Sequence, residues 1–473
     1  MQRLPPPEHT PSVQPVQPAQ SESLRYAWYV VAVLTVVNIS SNIDRVIVNL
    51  LVEPMKRDLH LSDTQMSLLM GLSFALFYAT LGLPMGRLAD RINRRNMIIV
   101  GVAVWSAMTT FSGMVRSYWH LFAARMGVGV GEATLLPAAY SMIADYFPKH
   151  RLAMAMSVYA IAIYIGAGLA VAIGGVVVQL TSIPGTWILP IVGEIYPWQT
   201  VFFLIGLPGL LLVLLMRTVK EPVRRDVLLT LHTKRAAQAD ERSAEPSLQA
   251  ELKELFAYVR DHKSTFLTLC LGYSTFALFS YSASAWIPSL FIRNYGWQAG
   301  TFGVIYGTMI MTFGTIGSLL GGKLADTWAA RGITNAKLRV GILAASAMIP
   351  LVVAYPLMPS PELCLLVLLP INVFAGMPYG PAAAALQEVL PNQLRGLGSA
   401  VYAFLLSVIG GAFGPTLVAV LNDYVFHSPL AVRYSLAIVN SLSLAVAALV
   451  LTFALKPFSA TVEDLEQTLQ RQS

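Results

Sequence analysis

Apolar runs of about 18 to 25 residues recur along the chain, separated by short polar stretches, and each is long enough to cross a bilayer as a helix. The pattern predicts about twelve spans, beginning near Tyr26, Met66, Asn96, Tyr118, Leu152, Pro197, Thr265, Thr301, Leu338, Leu363, Gly396 and Leu430. Part of the pattern occurs twice. The run from Met66 to Leu83 leads into Gly86-Arg87-Leu88-Ala89-Asp90 and then Arg91, Arg94 and Arg95. The run from Phe302 to Leu320 leads into Gly322-Lys323-Leu324-Ala325-Asp326, placed 236 residues after the first copy. A second pair, Asp145-Tyr146-Phe147-Pro148 with Val158-Tyr159-Ala160, returns as Glu388-Val389-Leu390-Pro391 with Val401-Tyr402-Ala403 at a spacing of 243. An all-α integral membrane protein made of two tandem halves is therefore expected. Residues 1–24 read as a disordered cytoplasmic tail, 25–218 as the first six-helix half and 219–263 as a cytoplasmic linker. Residues 264–457 read as the second half and 458–473 as a cytoplasmic tail.

Composition agrees, since 55% of the 473 residues are hydrophobic and 12% charged, against about 25% charged in soluble proteins. The net charge of +7 does not point to nucleic acid, because its distribution alternates in the way that sets membrane topology. Arg87, Arg91, Arg94 and Arg95 follow the second span, whereas the next loop carries only Arg116. The segment from Arg217 to Lys263 holds ten Lys and Arg, and the loop between the fifth and sixth spans holds none. Both termini are expected in the cytoplasm, with the spans in a cell membrane, plasma or bacterial inner. The start offers no basic region followed by a short apolar run, so no cleaved signal is expected. Within the linker, Leu248, Leu252, Leu255, Phe256 and Val259 recur at helical spacing behind Pro246-Ser247, predicting an amphipathic helix on the cytoplasmic side. Cys270 and Cys364 both fall inside predicted spans and read as small buried apolar residues.

Polar residues inside the spans are the candidate chemistry. Asn38, Asn42, Arg45 and Asn49 are spaced four, three and four apart on the first span and share one face. Asp44 is turned about 100° from Arg45, so these neighbours need not pair. On the fourth span Arg125 and Glu132 lie seven apart, hence on one face, with Gly127, Gly129 and Gly131 between them to admit a neighbouring helix. Each charge costs about 2.5 to 3.5 kcal/mol at the membrane centre, so the four must face partners or a wet cavity. A static ion-pair network joining the two helices is the plain reading. The functional reading makes Glu132 and Asp44 proton carriers, while Arg45 and Arg125 bind an anionic headgroup and compete for them. The second half instead offers aromatics and hydroxyls, with Tyr281 and Tyr379 as candidate substrate contacts beside Asn42 of the first half. Gly86, Asp90, Arg91, Asp145, Asp326 and Glu388 are candidate gating residues, because they mark the repeated loops and the paired acids before Pro148 and Pro391. In that reading Gly86 permits tight packing and Arg94 and Arg95 serve as topology anchors.

Two stretches carry a family resemblance. Gly86 to Arg95, with its partial copy from Gly322, resembles the signature loop of the major facilitator superfamily, and the likeness runs from about Arg25 to Lys456. Asn42-Ile43-Asp44-Arg45 and Arg125-Met126-Gly127-Val128-Gly129-Val130-Gly131-Glu132-Ala133 resemble its Spinster branch. The second loop departs from the signature after Asp326, where Thr327-Trp328-Ala329-Ala330-Arg331 follows. The resemblance implies twelve transmembrane helices in two pseudo-symmetric six-helix bundles that rock to give alternating access. It also implies export of lysolipids or sphingosine phosphate, with the proton coupling proposed for bacterial relatives. No cofactor beyond that coupling ion is expected, and because one chain contains both halves of a carrier, a functional monomer amid membrane lipids is expected.

Other readings stay open. A carrier of small organic anions such as sugar acids uses the two Arg equally well but leaves the apolar half idle. A multidrug exporter of cations uses the apolar half, yet the two Arg repel its substrate. For a membrane-embedded lipid enzyme, all seven His fall in tails, loops or helix ends, leaving no buried His–carboxylate or metal set. A channel has no evident filter sequence.

Overall fold

A computed structural model describes residues 24–180, 187–189, 193–222, 248–391 and 394–472. The expected N-terminal tail up to residue 23 and linker residues 223–247 lie outside them. Among the described residues, ten helical spans are long and apolar enough to cross a membrane. They are the first (Leu24–Leu50), second (from Asp63, ending in the helix Ser73–Arg91), fifth (Met154–Leu180), sixth (Pro197–Arg217) and seventh (Lys263–Tyr295). The eighth (Ala299–Ala330), ninth (Ala336–Leu357), tenth (Pro361–Glu388), eleventh (Arg395–Val425) and twelfth (Pro429–Leu465) complete them. Arg94–Ser112 stands where the third span is expected, and Tyr118–Glu132 with Leu135–Tyr146 where the fourth is expected. The arrangement is consistent with twelve spans.

Local sequence sets these limits. Ser62 caps the second span with Gln65 in a reciprocal capping box, and the Asn93 side chain accepts from Asn96 N at 2.8 Å to start the third. Gly296, at φ 67°, supplies the left-handed residue that stops the seventh span after Tyr295. The fourth span breaks after Glu132 and the tenth after Gly376, at corresponding places in the two halves. A π-helical turn interrupts the second span at Leu68–Leu72 and the eighth at Ile310–Gly314.

With six spans per half, Leu24, the linker and the end of the twelfth span share one face, here called the linker face. The opposite, distal face carries the short helix Val52–Leu59 and a hairpin pairing Trp187–Leu189 with Gly193–Ile195. The predicted linker helix is present as Leu248–Asp261. It buries Leu255 against the second half, and Tyr258 Oη donates to Val389 O at 2.9 Å. One boundary differs from expectation, because the last helix runs from Val432 to Gln472 straight through Pro457. Phe458 and Val462 are buried beyond that proline, and Thr461 Oγ1 shares a 2.8 Å hydrogen bond with Thr265 of the seventh span. Packing against the seventh span carries the helix past the proline that suggested a tail.

The apolar core is divided unevenly. On the distal side one cluster joins both halves, from Ile47, Leu51 and Met66 to Trp286, Phe291 and Phe302. On the linker side each half has a separate cluster, one around Trp105 and Phe147 and the other around Leu390 and Phe458. Glycines tighten the shared seam. A Cβ on Gly168 of the fifth span would strike Met311 and Gly307 of the eighth, and one on Gly71 of the second would strike Gly411 of the eleventh.

Candidate substrate and coupling site

Asp44 and Arg45 leave the first span in different directions, as their 100° offset requires. Arg45 Nη2 donates to Glu132 Oε2 at 2.7 Å, and the Glu132 side chain is fully buried whereas that of Arg45 is 25% exposed. Asp44 is fully buried and accepts from Thr109 Oγ1 of the third span at 2.7 Å. Arg125 does not bond the Asp44 carboxylate; its Nη1 donates to the Asp44 backbone carbonyl at 3.1 Å. Two acids and two guanidinium groups thus sum to zero formal charge. Five of their buried atoms have no hydrogen-bond partner among the described residues: Asp44 Oδ2, Arg45 Nε, Glu132 Oε1, and Nε and Nη2 of Arg125. Polar atoms on buried charges call for a partner beyond these four side chains.

The intervening glycines bring this about. A Cβ on Gly129 would stand 2.8 Å from Phe74 O of the second span, and one on Gly131 would stand 2.7 Å from Trp105 N of the third. The fourth span therefore lies against both neighbours, and its helix ends right after Glu132. Aromatic rings supply the rest of the Arg45 environment. Its guanidinium lies 4.5 Å from the Phe74 ring centroid and 4.8 Å from that of Tyr78.

Beside Arg45 a cavity of about 60 Å³ runs across the junction of the halves, lined by Asn49, Phe74, Tyr281, Ser284 and Gly411 among others. Asn49 Nδ2 spans the junction to Ser284 O at 3.1 Å. Tyr281 thus stands in the cavity wall with Arg45, and Tyr379, 44% exposed, lies beside Tyr281. Asn42 is used differently. Its Nδ2 donates back to Asn38 O at 2.8 Å and to Asn38 Oδ1 at 3.1 Å, and its Cβ fills the space left by Gly166 of the fifth span.

A sequence model of the Major Facilitator Superfamily matches residues 34–415. The chain belongs to this superfamily. Its relatives include an MFS-type efflux pump of Mycolicibacterium smegmatis, 28% identical over 84% of this chain and 85% of that protein. The protein spinster of Drosophila melanogaster is 24% identical over 66% of this chain. The match spans about half of that Drosophila protein, 47% of its length. A bacterial homologue of the human lysosomal transporter Spinster, in an inward-facing and unoccupied conformation, superposes with a TM-score of 0.71 at 24% identity, covering 93% of this chain and 98% of that one. This superfamily member is a multi-pass membrane transporter with Spinster homologues, not an enzyme.

The gate candidates of the transporter divide. Asp145 Oδ2 accepts from Arg94 Nη1 at 2.5 Å, and Glu388 accepts from Lys337 Nζ. Both bonds stay within one half, tying the fourth span to the third and the tenth to the ninth. Arg94 is 1% exposed and also binds Glu221 Oε1 at 2.7 Å, Ser141 Oγ at 2.7 Å and Pro222 O at 3.1 Å. Arg94 is therefore a buried structural hub, and the topology-anchor reading is corrected. The tight-packing role expected of Gly86 is corrected too, since a Cβ there would meet nothing within 4 Å. Arg91 and Asp326 are both exposed, Arg91 at the end of its helix. The side chain of Asp90 lies outside what is described.

The polar links between the halves that sequence reasoning missed sit on the distal face. Asp63, fully buried, accepts from Arg293 Nη1 at 2.7 Å and Nη2 at 2.8 Å, from Asn422 Nδ2 at 2.9 Å and from Lys56. Arg293 Nε also reaches Glu53 Oε1 at 2.7 Å, and Asp423 Oδ2 accepts from Thr64 N and Oγ1, each at 2.7 Å. The signal was a basic residue, Arg293, closing the seventh span within a membrane-length apolar run. Thr109, Phe74 and Tyr78 carry no such signal, because a hydroxyl or a ring inside an apolar span reads as packing.

Proposed function

We propose that this transporter moves an amphiphilic anionic lipid, a lysophospholipid or a sphingosine-phosphate-like molecule, by proton-coupled alternating access. The Arg45–Glu132 pair carries the reading. Arg45 lines the cavity and binds a carboxylate that has no other hydrogen-bond partner among the described residues, so an incoming phosphate competes for the guanidinium fork. Once Arg45 turns to the phosphate, the abandoned Glu132 is a buried acid that takes up a proton. Asp44 and Arg125 form the second acid–base set. Asn42, Tyr281 and Tyr379 contact the substrate, the two tyrosines facing its apolar part.

The linker face is assigned to the cytoplasm of a plasma or bacterial inner membrane, from the Lys and Arg bias of its loops. Closure at the distal seam then corresponds to a state closed to the outside. The loops around Gly86, Asp90, Arg91 and Asp326, with the clasps of Asp145 and Glu388, rearrange when the linker side closes. One chain holds both halves, so the monomer is the working unit. Similarity to an efflux pump over most of the chain supports outward transport and favours, as a second reading, export of a broader set of amphiphiles.

Proteoliposome uptake of labelled oleoyl-lysophosphatidate and sphingosine phosphate, with and without an imposed pH gradient, tests the proposal. Gradient-dependent uptake that is lost in Arg45→Ala and Glu132→Gln is the expected result. Uptake of a sugar acid or of a cationic dye in place of either lipid overturns the lipid assignment.

A further inference from the structure

The second span contributes Phe74 and Tyr78 four residues apart, hence on one helix face and directly after the π-helical turn Leu68–Leu72. Their rings stack on each other, with centroids 5.2 Å apart and planes tilted by 20°. Arg45 lies over both, at 4.5 and 4.8 Å, while Arg125 lies 5.9 Å from the Phe74 ring on the same site. Phe74 is buried, Tyr78 is half-buried, and Gly129 of the fourth span abuts the backbone of both, which fixes the height of the pair.

A guanidinium forms hydrogen bonds through its edge and is attracted to aromatic rings through its face. The two interactions do not compete. Arg45 can therefore exchange one edge partner for another while its face stays on the rings. Phe74 additionally presents a π surface to both cations.

We propose that Phe74 and Tyr78 are positioning residues for Arg45, a paired aromatic bed that keeps its guanidinium in place while its edge passes from Glu132 to the substrate anion. This inference rests on the anion role proposed for Arg45. The bed acts on the passage rather than on the resting complex, so ring removal slows turnover more than it weakens binding. A partly desolvated contact with such rings corresponds to about a tenfold effect.

Two readouts separate this inference from the function proposed above. In lysophosphatidate uptake, Phe74→Leu and Tyr78→Leu are expected to lower kcat about tenfold with KM changed less than about threefold, and Phe74→Tyr and Tyr78→Phe to stay near wild type. In NMR of the guanidinium groups, the Arg45 Nε–Hε signal, assigned by its loss in Arg45→Lys, is expected at an upfield ring-current position. It should remain there in Glu132→Gln and return to the ordinary range in Phe74→Leu and Tyr78→Leu. A signal that leaves the upfield position in Glu132→Gln with both rings intact overturns the bed. Wild-type kcat in both Leu variants overturns it as well. If the wild-type protein moves no lysophosphatidate, the proposed substrate fails, and the NMR comparison alone decides whether the rings hold Arg45. Thermal unfolding of each variant identifies one that has lost its fold, and the Tyr and Phe exchanges keep the comparison decisive in that case.

Discussion

Asp63→Asn is the perturbation with the best-defined consequence. The carboxylate is fully buried and holds Arg293, whose side chain is 5% exposed, through two hydrogen bonds of 2.7 and 2.8 Å. Arg293 belongs to the second half and Asp63 to the first, so this contact exists only while the distal seam is shut. Breaking a buried pair by changing one partner costs about 3 to 5 kcal/mol. The amide still accepts one hydrogen bond and Glu53 still holds Arg293 Nε at 2.7 Å, so the lower end, about 3 kcal/mol, applies. That corresponds to a shift of more than a hundredfold in the ratio of distally shut to distally open molecules. The assay is electron-spin distance measurement between labels at Leu180→Cys and Phe426→Cys, one in each half on the distal side, in a Cys270→Ala and Cys364→Ala background. Asp63→Asn should add a population at longer distance, Arg293→Gln should do the same, and the double variant should add little to either, as expected for members of one network. An unchanged distance distribution in Asp63→Asn, accompanied by a lower unfolding temperature, would refute the reasoning by making Asp63 internal glue of the first half.

The clasps at the linker face should respond unequally. Arg94→Ala should cost about 3 kcal/mol, read as a lowered unfolding midpoint, because it strips a buried cation from Asp145 and Glu221. Lys337→Ala should cost under about 1 kcal/mol, because the Lys337 and Glu388 side chains are 19% and 37% exposed and water screens them. Gly86→Ala should leave expression and the unfolding temperature unchanged, since its Cβ enters open space in this state. Gly168→Leu should instead push the fifth and eighth spans apart, and the same spin-label pair should report the widened seam. Thr109→Val removes the hydroxyl that donates to Asp44 at 2.7 Å and leaves that carboxylate without its described donor. Thr109→Val should therefore displace the pH profile of gradient-driven uptake while leaving the unfolding temperature within a few degrees.

Much of the fold was legible because membrane-length apolar runs and an internal repeat are strong one-dimensional signals. The four charges were legible for the same reason, since a charge inside such a run stands out against its cost. Their partners were not. Periodicity placed Arg125 and Glu132 on one face, but which acid each guanidinium meets depends on helix packing, and Arg125 bonds a backbone carbonyl rather than a carboxylate. Asn42 shows the same limit, for its amide returns to its own helix although it shares a stripe with Arg45. Arg94 was misread because a cation in a basic loop looks like a topology anchor until the fourth span and Glu221 are seen to close over it. The distal network was missed because its members are scattered singly over four chain segments, each with an ordinary loop composition.

The repeat explains the scaffold and leaves the chemistry to its departures. The breaks in the fourth and tenth spans and the clasps Arg94–Asp145 and Lys337–Glu388 recur in register, and the second and eighth spans each carry a π-helical turn. The charges do not recur, because the positions 243 residues after Arg125 and Glu132 are Leu368 and Ala375. Both carboxylates of the distal lock that face Arg293 come from the first half, while the guanidinium comes from the second. A symmetric pair of bundles can rock about its seam without preferring either partner of a proton. In the proton-coupled function proposed above, placing every acid and base of the central site in one bundle would let that bundle sense the proton, while the other supplies the wall of Tyr281 and Ser284 beside Arg45. Coupling then requires only that Arg45 bind differently when that wall is near and when it is withdrawn, which is the differential interaction any ligand needs to shift a two-state carrier.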